Sequence, residues 1–167
     1  AIIGLDKYPI FNSEIDMERK EIRIKHFFNV GVAVDTEQGL MVPVVRNCER
    51  KSITEIAIEI NDSAASARER KLGLTEMSGS SFSVTNYGSV GVRFATPIIN
   101  PPNTAILGVG RIAQRAVVVD GKIVIQRMLP LSFCFDHRVA DGAAGAGFLA
   151  EVMRHLEHPS ELLVDLI

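Results

Sequence analysis

The sequence predicts an α/β layer fold in which a mixed β-sheet is covered by helices. Three observations predict it. Short runs of β-branched and aromatic residues occur in both halves of the chain. A 3.6-residue apolar period interrupts them from Ser52 to Leu72 and again from Ala143 to Leu156. The dipeptide Asp120-Gly121 joins two apolar runs, which is a strong local hairpin signal. The 167 residues are 47% apolar and 23% charged, with 18 basic and 20 acidic side chains. That length suits one domain, and a chain of this size buries enough surface to fold without disulfides or metals. Cys48 and Cys134 therefore read as interior thiols. A net charge of −2 provides no basic field for nucleic acid and no polybasic strip for an anionic membrane. No run approaches the roughly 20 apolar residues of a spanning helix, and the start lacks the layout of a signal peptide. A cytosolic or organelle-interior protein is expected.

In chain order, Ala1–Tyr8 reads as the end of an apolar helix stopped by Pro9. Strands follow at Glu21–His26, Phe28–Asp35 and Leu40–Arg46, the last two joined by a tight turn at Gln38-Gly39. Pro43 marks the third of these as an edge, a bulge or an irregular segment. Ser52-Ile53-Thr54-Glu55 has the form of a capping box, in which hydroxyl and carboxylate satisfy orphan amides. The helix it opens carries Ile53, Ile56, Ala57, Ile60, Ala64 and Ala67 on one face and is expected to stop at Gly73. Further strands are predicted at Ser81–Asn86, Thr104–Ile112, Ala116–Val119, Lys122–Met128 and Leu129–Phe135. The helix Ala143–Leu156 comes next, then an apolar tail, Leu162–Ile167.

Of the four histidines, His26, His155 and His158 lie among charged neighbours and read as surface residues. His137 differs. It follows an apolar strand, stands between Asp136 and Arg138, and leads through Asp141 and Gly142 into a helix. A base at a strand end, presented by a turn, is a common way to expose a reactive group on a rigid support.

Asp136-His137-Arg138-Val139-Ala140-Asp141-Gly142-Ala143 resembles the signature near the C-terminus of dihydrolipoamide acyltransferases, the core subunits of 2-oxo acid dehydrogenase complexes. Its His-x-x-x-Asp-Gly centre is shared with chloramphenicol acetyltransferase. Further segments are similar to the same family in the same order: Gly31–Thr36, Gly39–Val45, Ser81–Gly91, Pro97–Pro102 and Ala105–Gly110. The resemblance covers essentially the whole chain. It implies a chloramphenicol acetyltransferase-like two-layer α/β fold with a mixed β-sheet. It also implies that residues 1–167 are an acyltransferase catalytic domain lacking its N-terminal portion, with no lipoyl or subunit-binding domain present.

The family moves an acyl group between a dihydrolipoyl thiol and coenzyme A. A thiol of pKa about 8.5 needs a base poised near neutrality, and histidine is the natural choice. His137 matches the family base. Attack on a thioester places charge on the carbonyl oxygen, and a donor aimed at that oxygen is the second requirement. The family position for that hydroxyl is Thr85. Ser83 lies on the same strand face, so register alone leaves the two as competitors. The resemblance implies for Asp141 a supporting role in holding the loop rather than membership of a triad, with His137 oriented largely by its own backbone. Arg138 is a loop or interface partner, and Asp136 should point away from His137.

The resemblance further implies a homotrimer in which His137 of one subunit meets Thr85 of the next, assembled into a larger cubic or dodecahedral core, with the tail docking between trimers. Coenzyme A is a substrate. The lipoyl group is carried on a domain absent from this chain, and the 2-oxo acid decarboxylase and dihydrolipoamide dehydrogenase components are partners through absent domains. The expected location becomes the bacterial or archaeal cytoplasm or the mitochondrial matrix. Acetyl or branched-chain acyl groups are favoured. The alternatives are a related coenzyme A acyltransferase acting on a small hydroxyl or amine, and a catalytically incomplete scaffold fragment.

Overall fold

The computed structural model describes residues 1–37 and 39–162. Ten strands and three α-helices appear in the order α1 (Ile2–Lys7), β1 (Ser13–Asp16), β2 (Glu21–Ile24), β3 (Val30–Thr36), β4 (Gly39–Met41), β5 (Val44–Val45), α2 (Ile53–Arg68), β6 (Phe82–Asn86), β7 (Ala105–Val109), β8 (Ala113–Val119), β9 (Lys122–Met128), β10 (Leu131–Phe135) and α3 (Gly142–Glu157). The principal sheet has the order β10-β7-β6-β3-β4, with β5 also paired to β3. It is mixed: β3, β6 and β7 are parallel, and β4, β5 and β10 join antiparallel. Two separate antiparallel ribbons, β1-β2 and β8-β9, complete the strands. Among the described residues no helix is long and apolar enough to cross a membrane.

Strand alternation gives this sheet two different faces. One face presents Val30, Val32, Phe82, Val84, Ala105, Leu107, Phe133 and Phe135 and takes part in the hydrophobic core. The core is built largely of phenylalanine. Phe11, Phe82, Phe133, Phe135 and Phe148 meet with ring centroids between 4.4 and 6.4 Å, and Phe11, Phe82 and Phe148 are completely buried. Deleting one such ring commonly costs about 3–5 kcal/mol. The opposite face is lined mostly by small residues in register: Gly31 and Ser83 with the larger Ile106 in one row, then Ala33, Thr85, Gly108 and Ser132 in the next.

Local signals explain most elements. The Ser52 capping box forms as predicted, with Glu55 N donating to Ser52 Oγ and Ser52 N donating to the Glu55 carboxylate. Asp120 and Gly121 both take positive φ, as a type I′ hairpin turn requires. Pro43 divides the predicted third strand into β4 and β5. Three expectations need correction. α2 ends at Arg68, not at Gly73, because Arg70 adopts φ 61° and Lys71 N reaches back to Ser66 O, closing the helix in a Schellman arrangement. β1 was not foreseen, since Ser13-Glu14-Ile15-Asp16 has one apolar residue in four; its pairing with β2 defines it.

His155 is the third correction: it is buried, not surface-exposed. Its Nδ1 donates to Glu151 O at 2.9 Å. The Glu151 carboxylate is buried too and accepts from Lys7 at 2.8 Å and from Arg154 at 2.6 Å, tying α1 to α3. The predicted tail from Leu163 to Ile167, and Gln38 in the β3–β4 turn, lie outside the described residues.

Arg154 and Lys7 hold the Glu151 carboxyl down to about 2, against an ordinary value of 4.5. A depressed carboxylate contributes stability that is complete above its unfolded pKa and is lost as pH falls toward its folded one. Acid unfolding followed by circular dichroism should therefore steepen between pH 4.5 and about 2. Glu151→Gln should lower stability near pH 7 by about 1–3 kcal/mol and flatten that limb. Ser52→Ala should destabilise by about 1 kcal/mol in denaturant titration.

Candidate active site

His137 stands just beyond β10. The strand's last ladder contact is Asp136 N to Thr104 O at 2.8 Å, after which Val139 N bonds back to Asp136 O and the chain turns. The turn is held from both sides. Asp136 and Arg138 form a bidentate pair, with Arg138 Nε at 2.9 Å from Asp136 Oδ1 and an Nη at 2.6 Å from Oδ2; Arg138 N also donates to Asp136 Oδ1. This guanidinium holds the Asp136 carboxyl below the ordinary carboxylate range. The pair straddles His137, leaving the imidazole exposed and, among the described residues, without a hydrogen bond. Its ring lies 5.8 Å from that of Phe135. The tether to its own backbone implied by the resemblance is not present in this structure.

Asp141 closes the other end of the turn. Its carboxylate accepts from Ala144 N at 2.9 Å and is the N-cap of α3. No ion pair or contact with His137 accompanies it among the described residues. α3 approaches β10 closely because residue 145 is glycine: a Cβ there would lie 2.4 Å from Phe135 Cε1. The histidine loop is thus suspended between a strand and a capped helix that touch each other.

Thr85 lies on β6, on the small-residue face of the sheet. Its side chain opens into a cavity of about 410 Å³ whose walls include Ala33, Val42, Ile98, Ile99 and Ile106. Among the described residues the Thr85 hydroxyl has no hydrogen-bond partner. Ser83, its competitor, is differently placed. It is 2% exposed, and its Oγ accepts from Asn103 Nδ2 at 2.8 Å within a buried network that includes Ser80. A second cavity, of about 430 Å³, lies on the helical side of the sheet against α1, α2 and α3 and touches none of His137, Thr85 or Asp141.

The structure does not bring Thr85 and His137 together within one chain. Thr85 is level with Gly108 near the C-terminal end of β7, whereas His137 lies two residues past Phe135, which is level with Ala105 at the start of β7. Across two strand spacings and about five residues of rise, the separation is on the order of 15–20 Å. Two residues of this region were not singled out by the sequence, although Tyr87 lies within the family-like segment Ser81–Gly91. Asn103 is an ordinary loop residue by sequence, and Tyr87 reads only as an aromatic after a strand. Both acquire partners through cross-strand neighbours.

Comparison with known proteins gives a consistent result. The sequence matches the family of 2-oxoacid dehydrogenases acyltransferase (catalytic domain) over residues 1–164. It is 50% identical over 162 residues to the dihydrolipoyllysine-residue acetyltransferase component of the pyruvate dehydrogenase complex of Bacillus subtilis, covering 97% of this chain and 37% of that protein. The chain thus spans little more than a third of the length of this curated relative. Among solved structures, the Azotobacter vinelandii dihydrolipoamide acetyltransferase superimposes with a TM-score of 0.92 at 39% identity, over 97% of this chain and 67% of that one. The cubic core of the pyruvate dehydrogenase multienzyme complex gives the same values. A chloramphenicol acetyltransferase aligns with a TM-score of 0.52 at 16% identity, over 89% of this chain and 70% of that one, and so shares the fold. Matched from its first residue to the histidine turn and beyond, the chain belongs to the 2-oxoacid dehydrogenase acyltransferase catalytic-domain family.

Proposed function

We propose that this chain transfers an acyl group between a dihydrolipoyl thiol and coenzyme A, with His137 as the base and Thr85 as the oxyanion donor. The observation that carries this reading is the state of the Thr85 hydroxyl: among the described residues it has no hydrogen-bond partner, and it lines a cavity with mostly apolar walls, while the neighbouring Ser83 hydroxyl is engaged by Asn103. A free donor in apolar surroundings suits a thioester carbonyl, because its interaction with developing charge is strongest where water is excluded. The spacing supports the assignment. The A. vinelandii structure addresses the role of a serine, a histidine and an asparagine in the catalytic mechanism of that enzyme, and these are spaced along its chain as Thr85, His137 and Asp141 are here.

In the forward direction, the imidazole of His137 takes the proton of the coenzyme A thiol. The resulting thiolate attacks the thioester carbonyl of the acylated dihydrolipoyl group, and the carbonyl π electrons move to oxygen. Thr85 donates its hydroxyl hydrogen bond to that oxyanion. Collapse re-forms the carbonyl, breaks the bond to the dihydrolipoyl sulfur, and returns the proton from imidazolium to the departing thiolate. Each step is reversible and consumes no other reactant. The dihydrolipoyl group is the second substrate, and the decarboxylase and dihydrolipoamide dehydrogenase components are the partners in the assembly. An acetyl group is favoured as the cargo, in line with the acetyltransferase names of the relatives.

Thr85 and His137 at opposite ends of one sheet require two copies for each site. A homotrimer in which His137 of one subunit faces Thr85 of the next satisfies this, and a larger cubic core is the further assembly that the relatives favour. The β8–β9 ribbon supports self-association. Val118, Ile123 and Ile125 are 71, 79 and 74% exposed on one of its faces, and an isolated two-stranded ribbon is marginal in water unless covered.

With acetyl-CoA and dihydrolipoamide, His137→Ala in the full-length protein should lower kcat by about 10²–10⁴-fold, and Thr85→Val by about 10²–10³-fold. Co-assembling the two inactive variants should restore measurable turnover if sites are shared between copies; no recovery in verified mixed assemblies would place both residues in one subunit's site. Asp141→Asn preserves the helix cap and should keep kcat within a few-fold. A loss near 10⁴, the value seen when a triad carboxylate becomes an amide, would overturn the capping role.

A further inference from the structure

Resting on the acyltransferase reading above, we infer that Tyr87 is the residue that limits the size of the acyl group, acting as a fixed wall beside Thr85. The argument begins with one row of the sheet. Ala33, Thr85, Gly108 and Ser132 are paired across β3, β6, β7 and β10, so their Cα–Cβ directions share the cavity face. Gly108 leaves a gap in that row, and Tyr87 fills it. A Cβ at Gly108 would lie 2.7 Å from Tyr87 Cε1 and 3.1 Å from its hydroxyl, so the tyrosine occupies the space over the glycine, in the row beside Thr85.

The ring is held at both ends. Its hydroxyl donates to Ser132 Oγ at 2.9 Å, at the end of the same row. Its backbone amide donates to Val109 O at 3.1 Å, and its carbonyl accepts from Val92 N at 3.2 Å. The Gly108 position also lies 3.2 Å from Pro97 Cγ, so the proline bounds the same gap. A tyrosine bonded through its side chain and through both backbone polar groups is a wall, not a flap.

Position decides what this wall does. Neighbouring strands lie about 4.7–4.9 Å apart, so Thr85 and the space over Gly108 are adjacent. With the carbonyl oxygen at Thr85 Oγ1, the substituent on the acyl carbon is therefore within reach of the Tyr87 ring. On the other side of Thr85 the same row continues with the small side chain of Ala33. A methyl group packs against the ring, whereas a branched or longer chain must displace a group with three anchors. The acyl class admitted is thus the short, unbranched one. Ser132 and Gly108 are positioning residues: one tethers the ring and the other makes room for it.

The test is a ratio, since a merely structural role would lower all substrates together. Full-length protein would be assayed with acetyl-CoA and with isobutyryl-CoA, using dihydrolipoamide as acceptor. Tyr87→Ala should raise kcat/KM for isobutyryl relative to acetyl by about 10-fold or more, the discrimination that one or two methyl groups carry in an apolar pocket. Tyr87→Leu provides a smaller excavation where the alanine variant folds poorly. Ser132→Ala, which leaves the ring but removes its tether, should shift the ratio in the same direction by a few-fold. Equal loss of both substrates, with the ratio unchanged in folded variants, would overturn the inference and leave the acyltransferase reading intact. Absence of wild-type turnover with either donor would overturn that reading, and this one with it.

Discussion

The packing of five phenylalanines against one another is the constraint on which the other features depend. Phe82 comes from the central parallel strand β6, Phe133 and Phe135 from β10, Phe148 from α3 and Phe11 from the segment after α1. Their rings fix how far the two helices stand from the sheet and at what level α3 begins. Since Phe135 is both a member of this cluster and the neighbour of Gly145, the cluster also determines where the His137 turn starts and ends. Interiors packed at this density transmit small displacements instead of absorbing them. The His137 turn is therefore positioned by groups of the buried core.

Electrostatics then does local work on that frame. Asp136 and Arg138 neutralise one another across the histidine, and Asp141 is occupied in capping α3. Each carboxylate near His137 already has a partner that stabilises its charged form. The imidazole is left as the exposed side chain in the turn that neither the ion pair nor the helix cap engages. A similar logic operates at the far end of α3, where Glu151 joins Lys7, Arg154 and His155 and clamps α1.

Much of this fold was legible in the sequence because its signals are local. The Ser52–Glu55 box, the Asp120-Gly121 turn and the interruption at Pro43 each depend on residues within a few positions of one another. The failures have equally specific reasons. Gly73 was the natural stop for α2, but Arg70 accepts a left-handed conformation one helical turn earlier. His155 looks solvated among charged neighbours; instead it is buried, with its Nδ1 bonded to Glu151 O on its own helix, beside a carboxylate that Lys7 reaches from the other end of the chain. At the site, family-like motifs marked His137, Thr85 and Asp141, yet spacing along the chain could not reveal that the first two lie at opposite ends of a sheet. Nor could it show that Asn103 engages Ser83, because both facts arise from strand pairing.

The sheet's two faces have unequal tolerance for change. On the core face every added or removed methyl group disturbs the phenylalanine packing. On the other face the cavity wall mixes the small side chains of Ala33 and Ser83 with the larger ones of Val42, Ile98, Ile99, Ile106 and Tyr87, none of which belongs to the phenylalanine cluster. Under the acyltransferase proposal, single substitutions there reshape the cavity while leaving the phenylalanine packing in place. A strand such as β6 carries both kinds of position in alternation, so changes to the cavity and changes to the core fall on interleaved residues.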